Sequence, residues 1–327
     1  MSTAKITAFI PTYNRAKYLR QCLRALGQQD LPSSELDIVI SDNASEDETP
    51  EVVEEFSSLV SRYSRNERNL GLCANFNRVL DLCQTELVVL LPDDMLVVPG
   101  FLRRARDVLY GDEGATVYAT AALVTNPSIH APQAQVFTPF LMAPSELWST
   151  RLEVWGYEPW AAACAFRPPI YNGAAAFRLS FLSEAMPWPE EYVSNADRLM
   201  YFEAGRRGHV LFDPWVGAHA IFDGHNYGAN MDMRRIRSEY REVSQIIIDQ
   251  ANKDGIDILG YWKRNIKNYS RRDQKEILTT AKFGLPKEAY ARTFGGFKDF
   301  TVERPGGRLD RWHVPPSVAR VLRALRS

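Results

Sequence analysis

The chain has 327 residues, with 39 lysines and arginines against 40 aspartates and glutamates and a net charge of -1. Such a balance gives the chain as a whole no electrostatic attraction to nucleic acid, so no nucleic-acid partner is expected. The sequence has no run of about 18 apolar residues that could span a bilayer. Its N-terminal segment lacks the apolar core and cleavage site of a signal peptide, which favours a soluble, cytoplasmic protein.

The four cysteines lie far apart in the sequence and include no Cys-x-x-Cys pair. Zinc sites and redox motifs usually need such a pair, and disulfides are rare in the cytoplasm. We therefore interpret Cys22, Cys73, Cys83 and Cys164 as buried thiols in a reducing compartment.

The first residues of the chain follow a strand pattern and then a helix pattern. Residues 6–10 are apolar and are followed by Pro11, which predicts a short strand that ends there. Apolar residues then recur at helical spacing from position 18 to position 26. Asn14 precedes this stretch and is the predicted N-cap of the helix.

The same alternation continues to residue 91. The apolar segments 36–42 and 86–91 predict two more strands, and residues 69–83 show the apolar stripe of a helix. Residues 44–56 predict another helix, with acidic residues in its first turn, where the helix dipole favours them. Strands that are apolar throughout and alternate with helices indicate a parallel sheet covered on both faces.

Beyond residue 110 the pattern weakens and then returns. Prolines and aromatic residues cluster over residues 112–172 with little periodicity. A strand and a helix are predicted over residues 171–182, a helix over 195–208 and a strand over 209–222. From about residue 238 the sequence is helical in pattern and locally basic.

Polar residues follow three of the predicted strands at the point where each strand ends. Pro11 to Tyr13 follow the first strand, Asp42 ends the second, and Asp93 and Asp94 follow the strand over residues 86–91. In doubly wound sheets the ligand binds beyond the carboxyl ends of the strands. The sequence therefore predicts that these residues converge on one ligand-binding crevice.

The adjacent aspartates of the stretch VVLLPDDMLVVPGF pose a question, because like charges repel. One interpretation is that Asp93 and Asp94 lie in solvent and only cap a turn, as aspartate often does. The other is that a positive group lies between the two carboxylates. The motifs around them favour the second interpretation.

Four segments, in this order, carry a family resemblance: TAFIPTYNRAKYLRQCLRAL, VISDNASEDET, NLGLCANFNRVL and LVVLLPDDMLVVPGFL. They resemble the nucleotide-binding half of family 2 glycosyltransferases, which are inverting enzymes that use nucleotide-diphosphate sugars. The resemblance is specific over residues 4 to about 105, weaker over 172–230 and not visible beyond about 240.

The resemblance implies an α/β fold of the GT-A type, a Rossmann-like, mostly parallel sheet flanked by helices, with a helical C-terminal extension. It also implies a division of the chain into three parts. Residues 1–110 are the expected nucleotide-sugar-binding half of the GT-A domain and residues 111–235 the acceptor-binding half. Residues 236–327 are the expected helical extension.

A divalent metal ion, Mg2+ or Mn2+, is the expected cofactor. Such a hard cation, held by one or two carboxylates and by phosphate oxygens, neutralises the diphosphate as the sugar–phosphate bond breaks. By resemblance, Asp94 is the expected metal ligand and Asp93 lies nearer the ribose or the sugar. The family motif is usually Asp-x-Asp, whereas here Pro92 and Met95 flank the pair, so one family aspartate is missing.

The resemblance also assigns residues to the nucleotide sugar. Asp42 is expected to accept a hydrogen bond from a uracil or thymine base, although capping of the next helix is a compatible alternative. For Asn75 the alternative is a solvated helix surface, and for Gly173 a tightly packed strand. The complete expected set is Pro11, Thr12, Tyr13, Asp42, Asn69, Gly71, Asn75, Asp93 and Gly173.

Inverting transfer is a single displacement and needs a base that takes the proton of the acceptor hydroxyl. By resemblance this base is Asp197, at the start of the helix predicted over residues 195–208. Ala196 stands where the family often has a glutamate, and Glu190 and Glu191 are weaker substitutes. The alternative is that Asp197 only favours the start of the helix.

Two histidines lie near the position where many family members have a histidine that completes the metal site. We favour His225, because the surrounding DGHNYG suits a ligand loop, over His219. Either could instead be an ordinary packed or surface histidine. The aromatic stretch 148–160 could form a platform for an acceptor sugar or simply belong to the core.

The expected function is transfer of a sugar from a UDP- or dTDP-sugar donor to an acceptor hydroxyl, in surface polysaccharide or glycan biosynthesis. The acceptor is a glycan, a lipid-linked molecule or a small molecule. The C-terminal segment 317–327 could contact the inner face of the membrane through its arginines or pack on the protein itself. The alternatives are a catalytically degenerate sugar-nucleotide-binding scaffold and a nucleotidyltransferase, which normally has a glycine-rich loop where this chain has IPTYNRAKY.

Overall fold

The structure is a computed structural model of the chain. It describes residues 5–126, 133–137, 152–192, 195–221, 232–269 and 271–295. His225 and the C-terminal segment 317–327 lie outside the described residues.

The N-terminal part of the sheet is parallel. Its strands lie in the order β3-β2-β1-β4, with β1 between β2 and β4. The strands are β1 (Ile6–Thr12), β2 (Leu36–Asp42), β3 (Arg62–Arg65) and β4 (Leu87–Leu90). The helices between them are α1 (Ala16–Leu26), α2 (Thr49–Glu55), α3 (Leu72–Asn77) and α4 (Val79–Leu82).

The sheet continues beyond β4 as a mixed parallel and antiparallel sheet, in the order β4-β9-β6-β10-β5, with β7 beside β6 and β8 beside β10. The strands are β5 (Met95–Val97), β6 (Ala115–Asn126), β7 (Gln133–Phe137), β8 (Glu153–Trp155), β9 (Ala175–Arg178) and β10 (His209–Ile221). The helices are α5 (Phe101–Gly111), α6 (Tyr157–Phe166), α7 (Leu179–Ala185) and α8 (Ala196–Arg207). The result is the predicted α/β sheet flanked by helices.

The C-terminal region is helical, as predicted. Its helices are α9 (Met233–Lys253), α10 (Ile258–Asn265), α11 (Arg271–Gly284) and α12 (Lys287–Phe294). In the described part of the chain, none of the helices has both the length and the apolarity needed to cross a membrane.

Both faces of the sheet are buried, which explains why its strands are apolar throughout. On one face, α1 and α5 cover Ile10 and Leu91. On the other face, α6, α8 and the C-terminal helices form a larger core that includes Phe9 and Leu90. The three-part division of the chain stays a prediction. Strands from before and after residue 110 belong to the same sheet.

The strand β1 is longer than predicted, because it continues through Pro11 to Thr12. Neighbouring residues of a strand direct their backbone N–H and C=O groups to opposite sides. The Phe9 carbonyl accepts from the Leu91 N–H, so the backbone groups of Phe9 face β4. The nitrogen of Pro11 therefore also faces β4, which ends at Leu90. The missing N–H of the proline thus breaks no hydrogen bond of the sheet.

The predicted N-cap Asn14 is wrong. Asn14 has a left-handed backbone, with φ of 52°, and α1 begins two residues later at Ala16. Asp47, from the loop before α2, accepts the hydrogen bond of the Ala16 N–H at 2.9 Å. The first N–H group of α1 therefore has its acceptor in a loop that is distant in the sequence. Local sequence signals do not reveal such a contact.

The helix predicted over residues 69–83 is divided in two at Arg78. Just before the division, the Asn77 side chain both donates to the Trp188 carbonyl and accepts from the Trp188 N–H. This pair of tertiary hydrogen bonds fixes the end of α3 against the segment that follows α7.

Replacing Gly205 in α8 by alanine is expected to destabilise the fold. The added Cβ would lie 2.2 Å from Cδ1 of Trp160, a fully buried ring whose Nε1 donates to the Tyr201 carbonyl at 2.6 Å. The ring cannot move without losing that bond, so Gly205→Ala should cost about 1 to 3 kcal/mol of unfolding free energy. Urea denaturation measures it.

The matched control is Gly111→Ala at the end of α5, where an added Cβ meets nothing within 4 Å. Its unfolding free energy should stay within about 0.5 kcal/mol of the parent value or rise. Equal stability of the two variants would contradict the proposed packing of α8 on α6.

Candidate active site

A cavity of about 730 Å³ opens where β1, β2 and β4 end, at the predicted place. Its walls also include Asp232 and Arg235 from the start of α9. A volume of this size lies in the range of small-molecule sites. The predicted residues that line it are Pro11, Thr12, Tyr13, Asn69, Gly71, Asn75, Asp93 and Asp94.

The acidic pair is bridged by a positive side chain of the same protein. Nε of Arg15 donates to Oδ1 of Asp93 at 2.7 Å, and its Nη2 donates to Oδ2 of Asp94 at 2.9 Å. The guanidinium also lies over the Tyr18 ring, 4.3 Å from its centroid. The positive group between the carboxylates is therefore Arg15, and the two aspartates are not free turn residues in solvent.

The two aspartates differ in their surroundings. The Asp93 side chain is 7% exposed, and its Oδ2 also accepts a 2.7 Å hydrogen bond from the Thr12 hydroxyl. Burial raises the pKa of the Asp93 carboxyl, while the Arg15 charge opposes that rise. Asp94 is more open, with 19% of its side chain exposed. Asp94 is thus the member of the pair more accessible from the cavity.

Asparagine side chains form the wall opposite the acidic pair. Nδ2 of Asn43 donates to Oδ1 of Asn69 at 2.8 Å and to the Gly71 carbonyl at 3.2 Å. Oδ1 of Asn75 accepts from the Ser41 hydroxyl, and Nδ2 of Asn75 donates to the Ser41 carbonyl. Asn75 is thus a buried link between α3 and β2 rather than a solvated residue.

Asp42 lies beneath this wall and is fully buried. Its Oδ1 accepts from the Ser45 N–H at 2.9 Å, and its Oδ2 accepts from the Tyr63 hydroxyl at 2.7 Å. Asn43, the next residue, is the one that lines the cavity. The expected contact between Asp42 and a base stays a prediction, and in this structure Asp42 holds the loop after β2.

Asp197 lies in the first turn of α8, which follows a left-handed Asn195 with φ of 63°. Burial raises the pKa of the Asp197 carboxyl to about 6, against the lowering effect of the neighbouring Arg198. Burial, and then the charges of Asp94 and Asp197, raise the pKa of Tyr171 to about 12. Asp197, although it lies among the described residues, is not part of the cavity wall.

Arg198 is a fully buried cation beside the predicted base. Its guanidinium donates to the carbonyls of Cys164 and Ala165 at the end of α6, and to the Ser244 hydroxyl in α9. Its Cζ lies 4.2 Å from the centroid of the Tyr240 ring. One side chain thus joins the start of α8 to α6 and to α9, whose first residues line the cavity.

Other predicted residues lie outside the cavity wall. Gly173 has φ of 81°, and an added Cβ would lie 3.1 Å from side-chain atoms of Leu91 and Met95, on either side of the acidic pair. Its contact with the donor sugar stays a prediction. His219 lies in β10, where its Nε2 pairs with the Thr125 hydroxyl at 2.6 Å and burial lowers its pKa to about 4.

The described tryptophans of the stretch 148–160, Trp155 and Trp160, belong to the core. Trp155 stacks on Phe212 with centroids 4.8 Å apart, and Trp160 is fully buried. Trp148 lies outside the described residues. The interpretation of Trp155 and Trp160 as core residues is therefore the one that the structure supports.

The donor set of the cavity fits a hard divalent cation that takes few protein ligands. Among the described residues, no group of three or more histidine, cysteine, aspartate or glutamate side chains could hold a metal by itself. Mg2+ and Mn2+ need only one or two carboxylates when phosphate oxygens and water complete the coordination. Asp94 could supply that carboxylate, whereas both Asp93 oxygens accept hydrogen bonds from the protein.

Sequence reasoning missed several residues of the cavity wall, among them Arg15, Asn43, Asp232 and Arg235. Asn43 directly follows the predicted Asp42, and Arg15 stands two positions after the predicted Tyr13, so their closeness in the motifs was the available signal. Asp232 and Arg235 come from the start of α9, about 140 residues after the acidic pair and just beyond the segment of weaker resemblance that ends at residue 230. Asp232 caps α9 by accepting from the Arg234 N–H at 2.9 Å.

Comparison with known proteins agrees with this geometry. Residues 7–164 match the family described as glycosyl transferase family 2. The matched segment, just under half of the chain, is therefore a glycosyl transferase family 2 domain.

Relatives in the family match only part of the chain. The poly(ribitol-phosphate) beta-N-acetylglucosaminyltransferase TarS of Staphylococcus aureus is 35% identical over 68 residues, which are 20% of this chain and 12% of TarS. The abequosyltransferase RfbV of Salmonella typhimurium is 30% identical over 121 residues, 34% of this chain and 36% of RfbV. The matched segments thus span about a third or less of these two relatives.

Solved structures extend the likeness to most of the chain. The TarS fragment 1–349 in complex with UDP-GlcNAc has a TM-score of 0.59 at 18% identity and covers 87% of this chain and 82% of that chain. The mannosyltransferase PcManGT from Pyrobaculum calidifontis, in complex with GDP-Man and Mn2+, has a TM-score of 0.53 at 17% identity, with 89% and 79% covered. The predicted GT-A fold is thereby confirmed.

Asp197→Asn is expected to stabilise the folded protein, and to do so more as the pH rises. The folded protein raises the pKa of Asp197 to about 6, so it binds the proton more tightly than the unfolded chain does. Ionisation therefore costs folded stability, starting near the unfolded pKa of about 4 and complete above about 6. Urea unfolding at about pH 5 and about pH 8 measures the difference.

Asp81→Asn on α4 is the control, since that carboxylate is 74% exposed. Its effect on unfolding free energy should stay within about 0.5 kcal/mol at both pH values. A stabilisation by Asp197→Asn that does not grow with pH would contradict the burial of an ionised Asp197.

Proposed function

We propose that the chain transfers a sugar from a UDP- or dTDP-sugar to an acceptor hydroxyl, with inversion at the anomeric carbon. The observation that carries this proposal is the cavity of about 730 Å³ at the strand ends, which Asp94 lines together with Thr12 and Tyr13. In this proposal Asp94 serves the donor and Asp197 serves the acceptor.

The donor's nucleotide is proposed to lie over the ends of β1 and β2. Tyr13 is 41% exposed and offers an aromatic face, while the asparagine wall offers amide groups that read polar atoms. A UDP-GlcNAc complex of TarS, which has the same fold, supports a uridine nucleotide.

The diphosphate is proposed to lie at the acidic pair. A bound Mg2+ or Mn2+ would neutralise the charge that develops on the leaving diphosphate. The protein's own part is to hold Asp94 in place through Arg15, and to anchor Arg15 in turn on Asp93. Arg235 adds a second positive side chain to the cavity wall.

The acceptor is proposed to be a sugar hydroxyl of a growing glycan or of a lipid-linked carrier. Its proton would pass to Asp197 as the oxygen attacks the anomeric carbon. Relatives named as TarS and as an abequosyltransferase support a place in surface polysaccharide synthesis. The nucleotidyltransferase alternative receives no support from these relatives.

Asp94→Ala is expected to remove the metal dependence of nucleotide binding. Loss of the proposed ligand should weaken Mn2+ affinity by at least about a hundredfold, because outer-shell changes alone cost up to that much. Calorimetric titration of UDP with Mn2+ and with EDTA measures it. Asp81→Ala is the control and should bind as the parent does.

Asp197→Asn is expected to leave UDP affinity within about threefold and to lower transfer by about a hundredfold or more. In the parent, the turnover rate should fall about tenfold per pH unit below the Asp197 pKa of about 6, because only the ionised base accepts a proton. A product assay over about pH 5 to 8 measures both. Transfer retained in the variant would exclude Asp197 as the base.

The catalytically degenerate alternative has its own outcome in the same assays. A sugar-nucleotide-binding scaffold would bind UDP but release none from a UDP-sugar, with or without Mn2+. Detection of released UDP therefore decides between the two functions.

A further inference from the structure

Arg15 lies in the wall of the proposed donor site and bridges the two carboxylates of the acidic pair. Its side chain is 17% exposed and makes one hydrogen bond to each carboxylate of the pair, at 2.7 Å and 2.9 Å. Because arginine remains charged at any working pH, this cation is permanent. The pair therefore already holds a counter-ion before any ligand arrives.

The contacts around Arg15 hold it from several sides. Nε is fixed on Asp93, which the Thr12 hydroxyl also holds, and the guanidinium lies over the Tyr18 ring. The Nη2 bond reaches Asp94, the more open carboxylate. An incoming cation would therefore compete with Arg15 at Asp94 and leave the anchor on Asp93 in place.

Displacement of the guanidinium from Asp94 removes the acceptor of its Nη2 donor in a site largely shielded from water, while the bond to Asp93 stays. Loss of an acceptor for a charged donor is costly unless another acceptor replaces the carboxylate oxygen. A diphosphate supplies such an acceptor, and arginine forms hydrogen bonds with phosphate oxygens readily. The ion pairs can then exchange partners: the metal binds Asp94, and Arg15 binds the diphosphate.

We propose that Arg15 is a resident cation of the donor site that competes with the divalent metal for Asp94 and so makes metal binding depend on the nucleotide. This inference rests on the proposed function, since it assumes that Asp94 binds the metal of a nucleotide-diphosphate sugar. It adds a coupling between the two ligands, which the family assignment does not contain.

The test measures Mn2+ binding to the full chain by electron paramagnetic resonance, with and without UDP, at about pH 8, where carboxylates are ionised. In the parent, UDP should tighten Mn2+ binding strongly. In Arg15→Gln, Mn2+ alone should bind at least about tenfold tighter, because the competing charge is gone. The ratio of the Mn2+ affinity with UDP to the Mn2+ affinity without UDP should be at least about tenfold smaller in this variant than in the parent.

Two further variants make the result specific. Arg20→Gln, in the helix that begins just after Arg15, removes an arginine that pairs with Glu55 at 2.7 Å, and it should bind Mn2+ as the parent does. Arg15→Lys keeps the charge but loses the planar guanidinium, whose separate nitrogens donate to the two carboxylates. Its Mn2+ affinity without UDP should lie between those of the parent and of Arg15→Gln.

Mn2+ affinity that is unchanged or weaker in folded Arg15→Gln overturns the inference. If that variant does not fold, Tyr18→Leu removes the ring under the guanidinium, and it should tighten Mn2+ alone by about threefold. An unchanged affinity in that variant overturns the inference as well. Failure of the parent to bind UDP with Mn2+ contradicts the proposed function instead, so the two failures are distinguishable.

Discussion

The site depends on the parallel pairing of β1 with β4 in the centre of the sheet. The two strands end side by side, so Thr12 and Asp93, which are 81 positions apart in the chain, form a buried 2.7 Å hydrogen bond. Arg15 follows Thr12 closely enough to reach both members of the acidic pair. The strand ends thus determine where the carboxylates lie, and the buried strand faces hold those ends in place.

The position of Asp197, the proposed base, depends on Arg198. A buried arginine is costly unless its donors are satisfied, and here carbonyls at the end of α6 and a hydroxyl in α9 accept its hydrogen bonds. The same contacts fix the start of α8, and with it Asp197. Since α9 also supplies Asp232 and Arg235 to the cavity wall, the C-terminal helices are part of the site's support.

Much of this arrangement could be predicted from the sequence, because strand order and strand ends follow from local patterns. The bounds of β2 agree with the prediction at both ends, and the residues after β1 and β4 do line one cavity. Tertiary contacts account for the errors. Asn14 lost the expected capping role to Asp47, and the predicted third helix is divided beside the Asn77 contact with Trp188. Such contacts join distant segments and have no local signal.

The question raised by two adjacent aspartates has an answer that involves the whole fold. Their repulsion is relieved by Arg15, a cation 78 positions earlier in the chain, and not only by an ion from solution. A tethered cation is always present at high effective concentration, whereas a free ion must bind from solution. The acidic pair can therefore stay ordered in the absence of a ligand. Any metal that binds at Asp94 then replaces an existing ion pair. The metal affinity therefore depends on whether another acceptor, such as a phosphate oxygen, is available to the displaced Arg15 guanidinium.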